Sequence, residues 1–335
     1  MPAQLAHMSI ADEVAKRFII GRKDGYQLFQ GQANDRYDGV SRYVYLGSLG
    51  PDLPYYYDAD SIGKITGRAG KSEYADIFHY NKEGEFILQL VSVARGMDNA
   101  ARRERTMGFA LGFATHLAAD TIIHPYVNCY AGAYNRQSIE ELHMTSEVHQ
   151  DSYLAQKYFN RKSIAIQSDD GDTWKKYLPP CLQVGIPGLP AYTKVSVETE
   201  EVLSDVAAAF KRTHGMGPDT EYLKDSYENL YDIAIDIGYD TAAGPIPRYP
   251  HQSLVQHERL KPAVIYYPGG LRDKAVAAAT EACGAIIALF KGGFSDEDQD
   301  SFRSTVKNWN MDTGYWLDVS IKDGRLQVIW RHRWC

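Results

Sequence analysis

His116, Asp120 and His124 stand at i, i+4 and i+8 in the run His116-Leu117-Ala118-Ala119-Asp120-Thr121-Ile122-Ile123-His124. On an α-helix each four-residue step turns slightly past a full circle, so the three side chains share one face. Imidazole nitrogens and carboxylate oxygens are ligands for zinc, and a carboxylate between two histidines can bridge two ions. A lone histidine on an apolar face is usually satisfied by a backbone carbonyl. Three aligned ligands on an otherwise apolar helix point to metal instead.

Stepping along the chain brings further residues of the same kind. His143 and Glu147 are also four apart, and Asp151 continues their stripe. Ser138 and Glu141 form a capping-box pattern that would start that helix. His79 precedes an amphipathic segment whose apolar stripe is Phe86, Ile87, Leu90, Val91 and Ala94. Asp52 lies in a turn marked by Gly50-Pro51. His7 comes just ahead of a helix opened by Ser9 and Asp12, with Ile10, Val14 and Phe18 on one side.

As a set, His7, Gly50-Pro51-Asp52, Phe78-His79, His116-x3-Asp120, His124-Pro125 and His143-x3-Glu147 resemble the zinc-dependent phospholipase C family. That family is related in fold to the single-strand-specific zinc nucleases. The resemblance covers about residues 1–155, and nothing beyond residue 160 is familiar. It implies a mainly α, compact multi-helix fold and three zinc ions. One ion would take Asp52, His79, His116 and Asp120. A second would take His124, His143 and Glu147. The third would take His7, Asp120 as a bridge, and the α-amino nitrogen and carbonyl oxygen of the mature N-terminal residue. Pro2 is small, so Met1 is a target for removal, which would leave Pro2 first and His7 five positions on. The alternatives are that Met1 itself supplies the amine, or that no terminal ligand exists.

Composition narrows the class. A 335-residue chain with 44% hydrophobic and 24% charged residues is ordinary for a globular protein of one large domain or two. There is no 18-residue apolar run, so no membrane span is expected. Residues 1–20 carry Asp12, Glu13, Lys16 and Arg17 and lack a signal-peptide core, so the expected location is the cytoplasm. Cys129, Cys181, Cys283 and Cys335 are scattered without a C-x-x-C pair, which speaks against a thiolate zinc site or a disulfide framework. The net charge of −7 lacks the basic face of a nucleic-acid binder; Arg102-Arg103-Glu104-Arg105 reads as a solvated helix surface. Three zinc ions against Asp52, Asp120 and Glu147 would leave a local balance of about +3, an anion-attracting pocket in an acidic protein.

The elements that must position these residues are mostly helical. Periodicity predicts helices over 8–20, 84–100, 105–124, 138–159, 197–212, 219–238 and 271–291, the last with an Ala275, Val276, Ala279, Ala282, Cys283, Ile286 and Ile287 stripe. Residues 21–58, rich in glycine and tyrosine, read as a long loop ending at the Asp52 turn. Residues 160–195 carry Asp169-Asp170-Gly171-Asp172 and prolines 179, 180, 187 and 190, and read as irregular. His251 and His257 sit in a proline-rich loop and read as surface or supporting histidines. Near the end, two alternating runs, Tyr315–Ile321 and Leu326–Trp330, flank Asp323-Gly324, the signal of a small C-terminal β-hairpin. The expected organisation is a metal-binding helical core over 1–160, further helices and loops packed on it over 161–310, and the hairpin over 311–335.

The chemistry expected is zinc-assisted hydrolysis of a phosphate ester. Zinc-bound water has a pKa near 7, which makes hydroxide available at neutral pH. Asp52 and Asp120 are the candidate catalytic carboxylates, and no Gly-x-Ser-x-Gly motif offers a serine nucleophile. The substrate would be a small-molecule or lipid phosphate ester. Tyr55-Tyr56-Tyr57, beside Asp52, could cage a choline headgroup by cation–π attraction, although such clusters more often pack. Rival readings are an enzyme of specialised metabolism reusing the zinc site on a small phosphorylated substrate, a single-strand nuclease, or a zinc-stabilised binding protein. Structural zinc normally has four protein ligands and often thiolates. A three-ligand ion with an open position favours catalysis.

Overall fold

The structure, a computed structural model, describes residues 4–19, 39–57, 72–131, 147, 150, 177–185, 187, 192–232, 269–311 and 314. Its axis is a 32-residue helix, Ala100–Ala131, here α5. Around it stand α1 (Gln4–Phe18), α2 (Val40–Gly47), a 3-10 segment (Gly50–Tyr56), α3 (Glu73–Tyr80), α4 (Glu83–Arg95), α6 (Val197–His214), α7 (Thr220–Asp232), α8 (Leu271–Lys291) and α9 (Asp296–Thr305). Two short strands, β1 (Cys181–Val184) and β2 (Tyr192–Val195), pair antiparallel with Cys181 opposite Val195. The fold is mainly α with a small antiparallel sheet.

By length and composition Ala100–Asn128 could cross a membrane, but 89% of its apolar window is buried against the other elements. It is the core helix of this fold. α2 and α8 pack most extensively along it, followed by α4. The approach of α2 is set by two glycines. A Cβ on Gly112 would overlap the Val44 carbonyl oxygen, and one on Gly47 would overlap that of Phe109. Without side chains the two backbones come within contact, and this closeness later fixes a ligand ring. Beneath α3 and α4, Phe78 stacks edge-on against Phe86 and Phe210 at centroid distances of 5.0 and 4.6 Å, an aromatic base for His79 next to it.

Local signals set several helix starts. Ser72 accepts a hydrogen bond from the Ala75 N–H at the start of α3, and Ser196 does the same for Thr199 at the start of α6. Ser295 and Asp298 form a full capping box at α9. Asn99 caps α5 by accepting from the Arg102 N–H. The basic run in the first turns of α5 is matched by acids: Arg102 grips Asp205 at 2.6 and 3.1 Å, and Arg105 reaches Glu201 at 2.7 Å.

Several expectations need correction. Part of the 21–58 loop is helix α2, opened by Gly39 at φ 64°. Its glycine serves helix packing, which composition cannot separate from turn use. The 160–195 stretch contains the two strands, too short for their alternation to show through the prolines. α4 ends at Arg95 instead of residue 100, and α5 starts earlier and runs past Pro125. Proline lacks the N–H that would bond to Thr121 four residues back. Packing by the surrounding elements carries the helix through. The predicted C-terminal hairpin, most of the helix over 138–159, and the loop with His251 and His257 lie outside the described residues.

Candidate metal centre

The stripe read from the sequence is real geometry: His116, Asp120 and His124 line one face of α5, all buried. Asp120 is the hub. Its Oδ2 lies 3.0 Å from His116 Nε2 and 3.9 Å from His79 Nε2. Its Oδ1 lies 3.2 Å from His7 Nε2 and 3.6 Å from His124 Nε2. The two oxygens of one carboxylate thus face two different pairs of imidazoles. His79 Nε2 is also 3.2 Å from Asp52 Oδ1, and His124 Nε2 is 3.2 Å from Glu147 Oε1.

Four elements deliver all of these groups except Glu147. α1 brings His7, whose ring stacks on His116 with centroids 3.9 Å apart and planes 4° from parallel. The 3-10 segment brings Asp52, and the last turn of α3 brings His79. α5 supplies His116, Asp120 and His124, and Glu147 joins them from a position past α5 in the chain. Two rings are oriented by backbone. His116 Nδ1–H donates to the Ser48 carbonyl at 2.7 Å, and His79 Nδ1–H donates to the Ala75 carbonyl at 2.7 Å. Each therefore turns its Nε2 lone pair into the cluster, the support that metal-ligating histidines ordinarily have. The Ser48 carbonyl reaches His116 because Gly47 and Gly112 let α2 lie against α5.

The electrostatics favour a cation. Burial alone would raise the Asp120 carboxyl, but His124, His116 and His7 hold it well below the usual range. Burial alone would lower His79, but Asp52 and then Asp120 push it up to about 9. His7 is lowered by burial and by the neighbouring His116, against the pull of Asp120. The donor set passes a test of fit. Both Asp52 oxygens, Asp120 Oδ2, His7 Nδ1 and His116 Nε2 are buried and make no hydrogen bond of good geometry. Leaving such atoms unsatisfied costs about 1–3 kcal/mol each, more for charged groups. Ligation would satisfy the inward-facing atoms together. Two groups draw their ligand atoms within 4.8 Å of one another: His7, Asp52 and His116, and His79, His116 and Asp120. These donors, all imidazole and carboxylate, suit zinc.

Of the eight residues predicted as ligands, the structure brings seven together: His7, Asp52, His79, His116, Asp120, His124 and Glu147. His143 lies outside the described residues, as do residues 1–3 with the terminal amine. Among the described residues the three tyrosines of the Tyr55-Tyr56-Tyr57 run take different partners, with Tyr55 beside His79 at a centroid distance of 5.7 Å. Tyr55 hydrogen-bonds Asp76, Tyr56 is buried against Gln4, and Tyr57 stacks on Tyr222 at 3.8 Å. Sequence reading missed Ser48, which carries no local signal. It also missed Asn128, buried one turn past His124 on the same stripe, and Gln150, buried three residues past Glu147. Extending the four-residue step once more would have found Asn128.

Comparison with known proteins adds a family. A family model described as zinc dependent phospholipase C matches residues 6–187, just over half of the 335-residue chain. The match reaches about thirty residues past the point where the sequence motifs ended, through β1. Searches of curated proteins and of solved structures return no match.

Proposed function

From the premise that this chain belongs to the zinc-dependent phospholipase C family, we propose that it is a phospholipase C-like hydrolase of a phosphate ester, working through a trinuclear zinc centre. The observation that carries this reading is Asp120, whose two oxygens face separate imidazole pairs in a buried centre. Asp52, His79, His116 and Asp120 would hold one ion; His124, His143 and Glu147 a second. His7 and Asp120 would hold the third, with the mature N-terminal residue. Zinc so bound supplies a Lewis acid that acidifies water and attracts phosphoryl oxygens.

The protein's own residues supply placement. The Ser48 and Ala75 carbonyls keep His116 and His79 in one tautomer with Nε2 inward. Burial keeps Asp52 and Asp120 out of bulk water, whose high dielectric would weaken their attraction for a cation. The test is metal analysis of the purified protein followed by a screen of phosphodiesters and phosphomonoesters. More than one zinc per chain with zinc-dependent turnover is expected. A protein that binds no zinc, or that turns over none of these esters when loaded, would overturn the proposal.

A further inference from the structure

A separate cavity lies between α5 and α8 and shares no lining residue with the metal centre. Its volume is about 370 Å³, within the range of small-ligand sites. Its walls run from Ala114 to Pro125 on α5 and from Leu271 to Ala282 on α8, about 16 Å of each helix axis. Both helices line it with alanine at four-residue steps, Ala114 and Ala118 on one, Ala278 and Ala282 on the other, and these short side chains leave the space open. Val306 and Trp309, just past α9, form a third wall. A long, mostly apolar slot between two packed helices suits a linear hydrocarbon chain better than a compact ring system.

Two exposed charges on α8 mark the rim, Lys274 and Glu281, two turns and about 10 Å apart along the axis. Neither has an ion-pair partner among the described residues. Lys274 stands near the start of α8, where the N-cap Gly270 offers no side-chain cap, so the partial positive charge of the helix end adds to the ammonium. Asp273 beside it is engaged by the Gly269 N–H at 2.7 Å and by Arg272 at 3.9 Å. The Lys274 end therefore favours an anion, and the Glu281 end repels one. We propose that this cavity binds a single-chain amphiphile with one terminal carboxylate, a fatty-acid anion, its head at Lys274 and its chain running toward Glu281. The site stands independently of the zinc centre.

The test is calorimetry on the zinc-loaded, full-length protein with dodecanoate, dodecanedioate and dodecyltrimethylammonium. Dodecanoate should bind once per chain and more tightly than the other two, which bring a second anion to Glu281 or a cation to Lys274. Lys274→Met should raise the dodecanoate Kd about two- to fivefold, the size of one exposed ion pair. Glu281→Gln should tighten dodecanedioate binding and leave dodecanoate nearly unchanged. Ala278→Phe, which fills the slot, should abolish binding; if it does not fold, Ala282→Leu carries the same comparison. No dodecanoate binding by the wild-type chain would leave the cavity to another occupant, a second copy or the residues after Gly314 included, and overturns the proposal. Binding that survives both filling variants places the ligand elsewhere, at the metal centre if it is lost with zinc, and overturns it too. Equal affinity for dodecanoate and dodecyltrimethylammonium, unchanged in Lys274→Met, would refute the assigned head group.

Discussion

Asp120→Asn separates a bridging carboxylate from an ordinary ligand. The carboxylate is 2% exposed and meets His116, His7, His124 and His79 at 3.0, 3.2, 3.6 and 3.9 Å. On the proposed reading it serves two ions, whereas Glu147, facing His124 alone at 3.2 Å among the described histidines, serves one. An ion present at 100 times its Kd stabilises the fold by about 2.7 kcal/mol. Three ions then contribute about 8 kcal/mol; losing one leaves about 5, and losing two leaves about 3. A chain of this length shifts Tm by about 1–2 °C per kcal/mol, less than smaller domains. The zinc-dependent rise in Tm should be about 12 °C for wild type, about 8 °C for Glu147→Gln and about 4 °C for Asp120→Asn. Each protein is stripped with chelator, reloaded, melted in both states, and assayed for zinc per chain. Comparing loaded with stripped protein within each variant removes the direct cost of the substitution. Equal zinc loss and equal Tm rises in the two variants would refute the bridge.

Gly112→Ala should destabilise by about 1–3 kcal/mol or more, because the added methyl meets the Val44 carbonyl. It should also lower zinc content by moving Ser48 away from His116; Gly284→Ala, with open space around it, should be tolerated, and equal melting of the two would contradict the packing argument. His214 is lowered to about 4 by burial and then by Lys82, from an ordinary value of 6.5. Above pH 6.5 it is neutral folded or unfolded; between 6.5 and about 4 only the unfolded chain takes up the proton, so stability falls as pH falls. His214→Gln should flatten the Tm–pH slope in that window, and an unaltered slope would show that another group causes it. A terminal amine can ligate only when free, since an amide nitrogen's lone pair is delocalised into its carbonyl. An uncleaved N-terminal extension should therefore reduce zinc per chain and activity without unfolding the protein; full zinc and full activity would remove the terminus from the ligand set.

What the sequence determined by itself is what repeats locally. A four-residue step places His116, Asp120 and His124 on one face whatever surrounds the helix, because helical geometry is a property of the backbone. The apolar stripe of α8 follows from the same rule, and the Ser295/Asp298 cap of α9 from a comparably local pattern. The set of histidines and carboxylates was equally legible, since its order along the chain carries the family resemblance. Tertiary structure decided the rest. Nothing near His116 in sequence says which ring nitrogen faces the centre; that is settled by the Ser48 carbonyl, 68 residues away. It arrives there only because two glycines let α2 and α5 touch. The fate of the tyrosine triplet and the arrival of His7 and His79 at Asp120 depend likewise on partners distant in the chain. Periodicity and capping act within a turn or two of backbone, whereas ring orientation, strand pairing and charge clustering are set by contacts that exist only once the chain has folded.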